Sequence, residues 1–156
     1  MNTVVKMKEQ ERLQYYLSEE AVSAGIVFKS PRVGDAGFDL PSLESVEIPP
    51  HSFKAIRTGV HLAIPLGYVG LVRDRSSVAL RGAACTAGVI DASYRGEVKV
   101  VMHNLSSETL QFVPGDRIAQ ILLLPHYLGA DAEPVKSIEQ LGETERAAAG
   151  FGSTGR

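Results

Sequence analysis

Three stretches of the 156-residue chain combine residue types that can grip and cut a phosphate ester. The first is the tail Gly150-Phe151-Gly152-Ser153-Thr154-Gly155-Arg156. Its glycines let backbone N–H groups converge on an anion, Ser153 and Thr154 can donate to phosphate oxygens, and Phe151 offers a face on which a base can stack. It is no P-loop, which needs Lys and then Ser or Thr after its last glycine, where this chain has Arg156. The second stretch is Arg73-Asp74-Arg75-Ser76-Ser77. A short helix is predicted over residues 76–81, with a serine as its cap, so free N–H groups and the planar fork of Arg75 would face an anion together. In the third, residues 88–96, apolar Val89-Ile90 runs into Asp91 and then a turn through Tyr94. An aspartate just beyond a buried strand is held rigidly enough to orient a water. Taken singly, each stretch has an ordinary alternative: an uncommitted tail, a capped surface turn, an aspartate in a loop.

The elements that must position these residues read as short strands. Pro41, Pro49-Pro50, Pro65-Leu66-Gly67, Gly82, Gly88, Arg95-Gly96, Ser106-Ser107 and Pro114-Gly115-Asp116 punctuate the chain at short, regular intervals, the pattern of sandwiches and barrels. Val60, Leu62 and Ile64 alternate with more polar neighbours, as do Val98, Val100 and Met102, which predicts half-buried antiparallel strands. Residues 118–124 are apolar on both faces except at Gln120, so this strand should be covered on both sides or packed against another subunit. Helix is expected only over residues 76–81 and in about the first dozen residues. After Tyr127 the composition turns to Gly, Asp, Glu and a run of small residues, which divides the chain into a β core over 1–128 and an extended, mobile arm over 129–156.

Composition narrows the partners. A formal net charge of −2 with 22% charged residues provides no global basic field for a nucleic acid polymer or an anionic membrane, so an anionic ligand must be gripped locally. Cys85 is the only cysteine, which excludes an internal disulfide, suits a reducing compartment, and fits a small buried hydrophobe. The N-terminus lacks the apolar run of a secretory signal, and no stretch is apolar enough for a membrane helix. A soluble, intracellular, cytoplasmic protein is expected. His51, His61, His103 and His126 are scattered and do not suggest a metal cage.

Five motifs in one order then point to a family. Ala36-Gly37-Phe38-Asp39-Leu40, Arg75-Ser76-Ser77-Val78-Ala79, residues 88–96, Pro114-Gly115-Asp116-Arg117-Ile118-Ala119-Gln120, and Arg146 with residues 150–155 together resemble the signature of the homotrimeric dUTP pyrophosphatases, over nearly the whole chain. The resemblance implies an all-β, jelly-roll-like barrel or sandwich with one short helix and an extended C-terminal arm, assembling as a trimer with sites at the subunit interfaces. It implies hydrolysis of dUTP to dUMP and pyrophosphate, limiting uracil in DNA and supplying dUMP for dTMP synthesis.

The roles it implies fall on particular residues. Asp91 orients the water that attacks the α-phosphorus; aspartate is a feeble base near neutral pH, so orientation matters more than basicity. Tyr94 packs under the deoxyribose and excludes a 2′-hydroxyl. Backbone groups of the hairpin from Cys85 to Gly88 read uracil. Arg75, Ser76, Ser77 and Gln120 contact phosphates, which accounts for a polar residue in an apolar strand. Arg146, Phe151, Gly152, Ser153 and Thr154 close over the nucleotide from another subunit. Mg2+ is expected on the substrate phosphates, with Asp39 acting indirectly through Arg75 or metal-bound waters.

Three positions depart from the usual pattern. Asp74 stands where proline is common, and either adds a negative charge near the phosphates or pairs with an arginine; Ala147-Ala148-Ala149 replaces a more glycine-rich stretch; and Ser93 stands where an acidic residue is frequent. Two rivals remain. A dCTP deaminase of the same fold places a glutamate five residues after the third motif's last glycine, where this chain has Val101. A non-catalytic nucleotide-binding regulator would have no need of Asp91 beside the α-phosphate.

Overall fold

Alternation of apolar and polar residues becomes ten short strands in the computed structural model, which describes residues 12–128 and 132–144. In chain order they are β1 (Gln14–Leu17), β2 (Gly37–Pro41), β3 (Val46–Ile48), β4 (Phe53–Ala63), β5 (Tyr68–Asp74), β6 (Ala83–Thr86), β7 (Val89–Ile90), β8 (Glu97–Asn104), β9 (Leu110–Phe112) and β10 (Arg117–Pro125). They form two four-stranded sheets, ordered β1-β4-β8-β6 and β2-β10-β5-β7, and a two-stranded ribbon β3-β9. Every pairing is antiparallel. The expected all-β sandwich is the fold observed.

The alternating residues face the core as expected: Val60, Leu62 and Ile64 are buried, as are Val98, Val100 and Met102. They meet Leu40, Ile56, Ile118 and Ile121 in one apolar cluster. Each such aliphatic side chain contributes roughly 1.5–3 kcal/mol by leaving water. Buried Asn104 is satisfied by giving Nδ2 to the carbonyls of Ile48 and Glu108 while Oδ1 accepts from Ser106. β10 is an inner strand between β2 and β5, which buries Ile118, Ala119 and Ile121 and leaves Leu122 and Leu123 half-buried.

Helix is where the sequence expectation needs correction. Among the described residues there are two short α-helices rather than one: α1 (Glu19–Ser23) and α2 (Ser76–Ala79), with a 3-10 turn at Ile138–Leu141. The local signals for α1 were present, since Ser18 caps it by accepting from the Ala21 N–H and Glu19 and Glu20 occupy its first turn. The N-terminal residues assigned to helix lie outside the described residues up to 11, and from Gln14 the chain is strand. Of the arm, residues 132–144 are described and all are exposed.

α2 is a single turn, and its cap position falls on Arg75, in extended conformation, with no side-chain capping bond. The expectation of a serine cap is therefore wrong by one residue. One turn also carries little macrodipole, so anion affinity here must come from side chains.

Candidate active site

Register brings together residues distant in sequence. β10 pairs with β2 so that Gln120 lies opposite Asp39, and with β5 so that Ala119 lies opposite Asp74. Asp39 thereby meets two guanidinium groups, Arg75 Nε at 2.8 Å and Arg117 Nη1 at 3.1 Å. Arg75 also donates to the carbonyl of Arg117 at 2.9 Å. Asp39 bridges the two forks side by side, and its negative charge offsets their mutual repulsion.

These groups line one open cavity of about 980 Å3 with Ser76, Ser77 and Gln120. Neither serine hydroxyl is engaged by another described residue, so both are available to an anion. Gln120 donates Nε2 to the Asp74 carbonyl at 2.9 Å. It fits because residue 37 is glycine: a Cβ there would stand 2.6 Å from Gln120 Oε1. Lys29 and Arg32 also line the cavity, and among the described residues neither makes an ion pair.

The third-motif residues form a separate group that does not line this cavity. Asp91 is exposed just after β7, and its carbonyl accepts the N–H of Tyr94, closing the turn. Tyr94 donates its hydroxyl to the carbonyl of Glu97 at 3.0 Å. Glu97 Oε1 accepts the N–H of Gly59 at 2.9 Å and Oε2 pairs with Arg57 at 3.1 Å. Burial works to raise the Glu97 carboxyl, but the Gly59 N–H and the Arg57 hydrogen bond and charge outweigh it and hold the group below its ordinary value.

The hairpin from Cys85 to Gly88 bridges the sheets, with β6 in one and β7 in the other. Gly88 accepts from the Val72 N–H at 2.8 Å, and a Cβ at residue 88 would stand 2.6 Å from the Val72 carbonyl oxygen, so the glycine has a packing reason of its own. The backbone N–H of Cys85, one of the groups the family resemblance offers to uracil, is engaged by Asp74 Oδ1 at 2.6 Å. Asp74 thus pairs with a backbone amide and not with an arginine, correcting the expectation. The Cys85 thiol is pushed up to about 12, by burial first and by Asp74 second, so it is an inert group near neutral pH.

Arg146, Phe151, Gly152, Ser153 and Thr154 lie outside the described residues. Sequence reasoning assigned no part to Arg117, Lys29 or Arg32. Arg117 was findable as the cation beside Gln120, whereas Lys29 and Arg32 have no local signal. Among the described residues no group of three or more His, Cys, Asp and Glu is placed to hold a metal, and no helix is long and apolar enough to cross a membrane.

A β-sandwich that presents paired guanidinium forks, free hydroxyls and a carboxamide at one strand register belongs among phosphate-binding, nucleotide-handling β-proteins. Comparison with known proteins narrows the class. The dUTPase family model matches residues 24–155. The deoxyuridine 5'-triphosphate nucleotidohydrolase of Candida albicans is 46% identical over 122 residues, covering 78% of this chain and 76% of that protein. That of Corynebacterium jeikeium is 44% identical over 125 residues, covering 78% and 80%. Among solved structures, the Staphylococcus bacteriophage 80alpha dUTPase with dUPNHPP superposes with a TM-score of 0.81 at 28% identity, covering 93% of this chain and 99% of that one. A mutant dUTPase of phage phi11 of S. aureus, described as coordinating a structural Mg(II) ion, gives 0.71 at 28% identity, covering 82% and 99%. The chain belongs to the dUTPase family.

Proposed function

We propose that the chain hydrolyses dUTP to dUMP and pyrophosphate, with Asp91 orienting the attacking water. The observation that carries the reading is the Arg75–Asp39–Arg117 cluster, which faces one cavity together with Ser76, Ser77 and Gln120. Water oxygen attacks the α-phosphorus, the bond to the bridging oxygen breaks, and pyrophosphate leaves with the bonding electrons. The water proton passes to Asp91 or to solvent. Arg75 and the two serines bind the phosphates and stabilise charge that grows on the leaving group. Tyr94 excludes a 2′-hydroxyl, and the hairpin from Cys85 to Gly88 reads the base. Arg146, Phe151, Gly152, Ser153 and Thr154 close over the nucleotide.

The site requires more than one copy of the chain. Asp91 and Tyr94 do not line the phosphate cavity, while Val89 and Tyr94 expose apolar surface beside the third motif. We assign the assembly as a homotrimer in which one subunit supplies the phosphate cavity, a second Asp91 and a third the arm.

For Mg2+, the donor set fits an ion held through the substrate phosphates. Asp39 already holds two guanidinium groups, and the described residues offer no cage. Bound there, the ion would neutralise phosphate charge; the protein's part is to orient those phosphates with Arg75, Ser76 and Ser77. A cytoplasmic location suits this substrate.

The test is pyrophosphate release from dUTP, dTTP, dCTP and UTP with and without magnesium. Magnesium-dependent release from dUTP above the other three is expected. Binding of dUTP without release of pyrophosphate overturns the enzyme reading in favour of a regulator, and ammonia release from dCTP overturns it in favour of a deaminase.

A further inference from the structure

Asp91 and Tyr94 sit in a turn that no strand ladder holds, since β7 ends at Ile90 and β8 begins at Glu97. An exposed connection of this kind is mobile unless side chains fix it, and a reacting group misplaced by about 1 Å can lose ~10²-fold in rate. Several bonds give the turn its shape. The Tyr94 N–H meets the Asp91 carbonyl at 3.0 Å, and Arg95 Nη1 donates to the carbonyls of Ala92 at 2.6 Å and Tyr94 at 2.9 Å. All of these lie within the turn, so they make it a stiff unit without fixing where that unit sits. Among the described residues one hydrogen bond ties it to a strand distant in sequence: His61 Nδ1 meets the Arg95 carbonyl at 3.0 Å. A carbonyl only accepts, so Nδ1 carries the proton and donates.

His61 reaches that carbonyl because β4 is bulged. Arg57 lies opposite Lys99 and, further on, His61 lies opposite Glu97, so β4 advances four residues while β8 advances two. The excess is taken up at residues 58–60. There Gly59 adopts a φ of 69°, the Thr58 hydroxyl donates to the Val98 carbonyl, and Glu97 Oε1 accepts the Gly59 N–H at 2.9 Å. A bulge re-aims the side chains beside it. Here it sets His61 against the start of β8, where the turn enters the sheet. Tyr16, opposite His61 on β1, backs the imidazole with ring centroids 5.7 Å apart. His61 and Arg95 also share an open groove of about 310 Å3 with Tyr15 and Tyr16, which leaves room for another side chain at residue 61.

We infer that His61 is a positioning residue for the third-motif turn: its Nδ1–H, aimed by the β4 bulge, anchors the Arg95 carbonyl, and the Arg95 guanidinium carries that anchorage to Ala92 and Tyr94 and so to Asp91. This rests on the reading of the chain as a dUTP hydrolase in which Asp91 orients water. Every group in the relay belongs to one chain. It therefore acts within the subunit that presents the third motif, whichever neighbour supplies the phosphate cavity.

The experiment compares the wild type, His61→Phe and His61→Asn in the full-length protein. Phenylalanine keeps a ring against Tyr16 but has no donor, whereas asparagine loses the ring and keeps an amide N–H near the place of Nδ1. Steady-state pyrophosphate release gives kcat and KM for dUTP and UTP, with thermal unfolding alongside. Phenylalanine is expected to lower kcat by up to about tenfold, the effect of losing one hydrogen bond. KM for dUTP should stay within about twofold, because the phosphate-binding groups lie on other elements. The preference for dUTP over UTP should narrow as Tyr94 loosens, and asparagine should restore both properties. In an Asp91→Asn background, His61→Phe should lower kcat no further, because the anchorage acts through Asp91. Wild-type kcat in the phenylalanine variant overturns the inference, as does an asparagine variant as impaired as phenylalanine. A loss that adds in full to that of Asp91→Asn, or a phenylalanine variant that fails to fold, also overturns it by making the tie a general structural one. A wild type inert toward dUTP overturns the functional reading and this inference with it, whereas an active wild type with no difference among the variants counts against this inference alone.

Discussion

Replacing Gly96 with alanine should convert a selective enzyme into a permissive one while barely disturbing its fold. A Cβ at residue 96 would stand 2.2 Å from the Tyr94 hydroxyl oxygen, 2.4 Å from Cζ and 2.8 Å from Cε2, all well inside contact distance. The ring must move, and because Tyr94 lies outside the apolar core it can swing aside without straining the sandwich. The stability loss is then mainly its hydrogen bond to the Glu97 carbonyl, about 0.5–1.5 kcal/mol, or a few degrees in Tm for a chain of this size. Function should suffer more. The displaced ring no longer fills the space a 2′-hydroxyl would occupy, and discrimination by such pocket contacts is worth roughly 10–100-fold. The assay is kcat/KM for dUTP and for UTP by pyrophosphate release, with thermal unfolding alongside and Tyr94→Ala as a companion. A dUTP-to-UTP ratio equal to wild type in a folded Gly96→Ala protein would refute the reasoning, because it would mean that the position of Tyr94 does not set the preference for deoxyribose.

Asp91→Asn should lower kcat by at least ~10²-fold while leaving dUTP affinity largely intact, as loss of a water-orienting group should; single-turnover kinetics beside equilibrium binding distinguish the two. Deleting residues 150–156 should abolish most turnover while sedimentation still reports the same assembly as the intact chain. Glu97, whose folded-state carboxyl sits below its ordinary value, contributes stability above the unfolded carboxylate range that is lost as pH falls through the folded value. Thermal unfolding between about pH 7 and pH 3 should therefore decline less steeply for Glu97→Gln than for wild type. Treatment with iodoacetamide near neutral pH should modify Cys85 slowly, and rapid alkylation there would contradict a thiol held up near 12.

The sequence by itself determined the class of fold and singled out Asp39, Arg75, Ser76, Ser77 and Gln120, which line the candidate cavity. Period-2 alternation marked the faces of β4 and β8, proline and glycine marked the turns, and Gln120 stood out as the polar residue in an apolar strand. These signals are local: each depends on which way neighbouring side chains point, and a window of a few residues holds that information. The capping serine at 18 was an equally local signal, yet the sequence reading placed no helix at α1. What only the tertiary structure decided was which distant residues meet. Asp39 and Arg117 are 78 positions apart and touch because β2 and β10 pair in one register. Asp74 finds the Cys85 amide instead of an arginine because β5 and β6 part into different sheets at that point. The same separation of elements keeps Asp91 out of the phosphate cavity. Strand register and sheet order are properties of the packed chain as a whole, fixed by burial of one face against another, and no short window of sequence contains them.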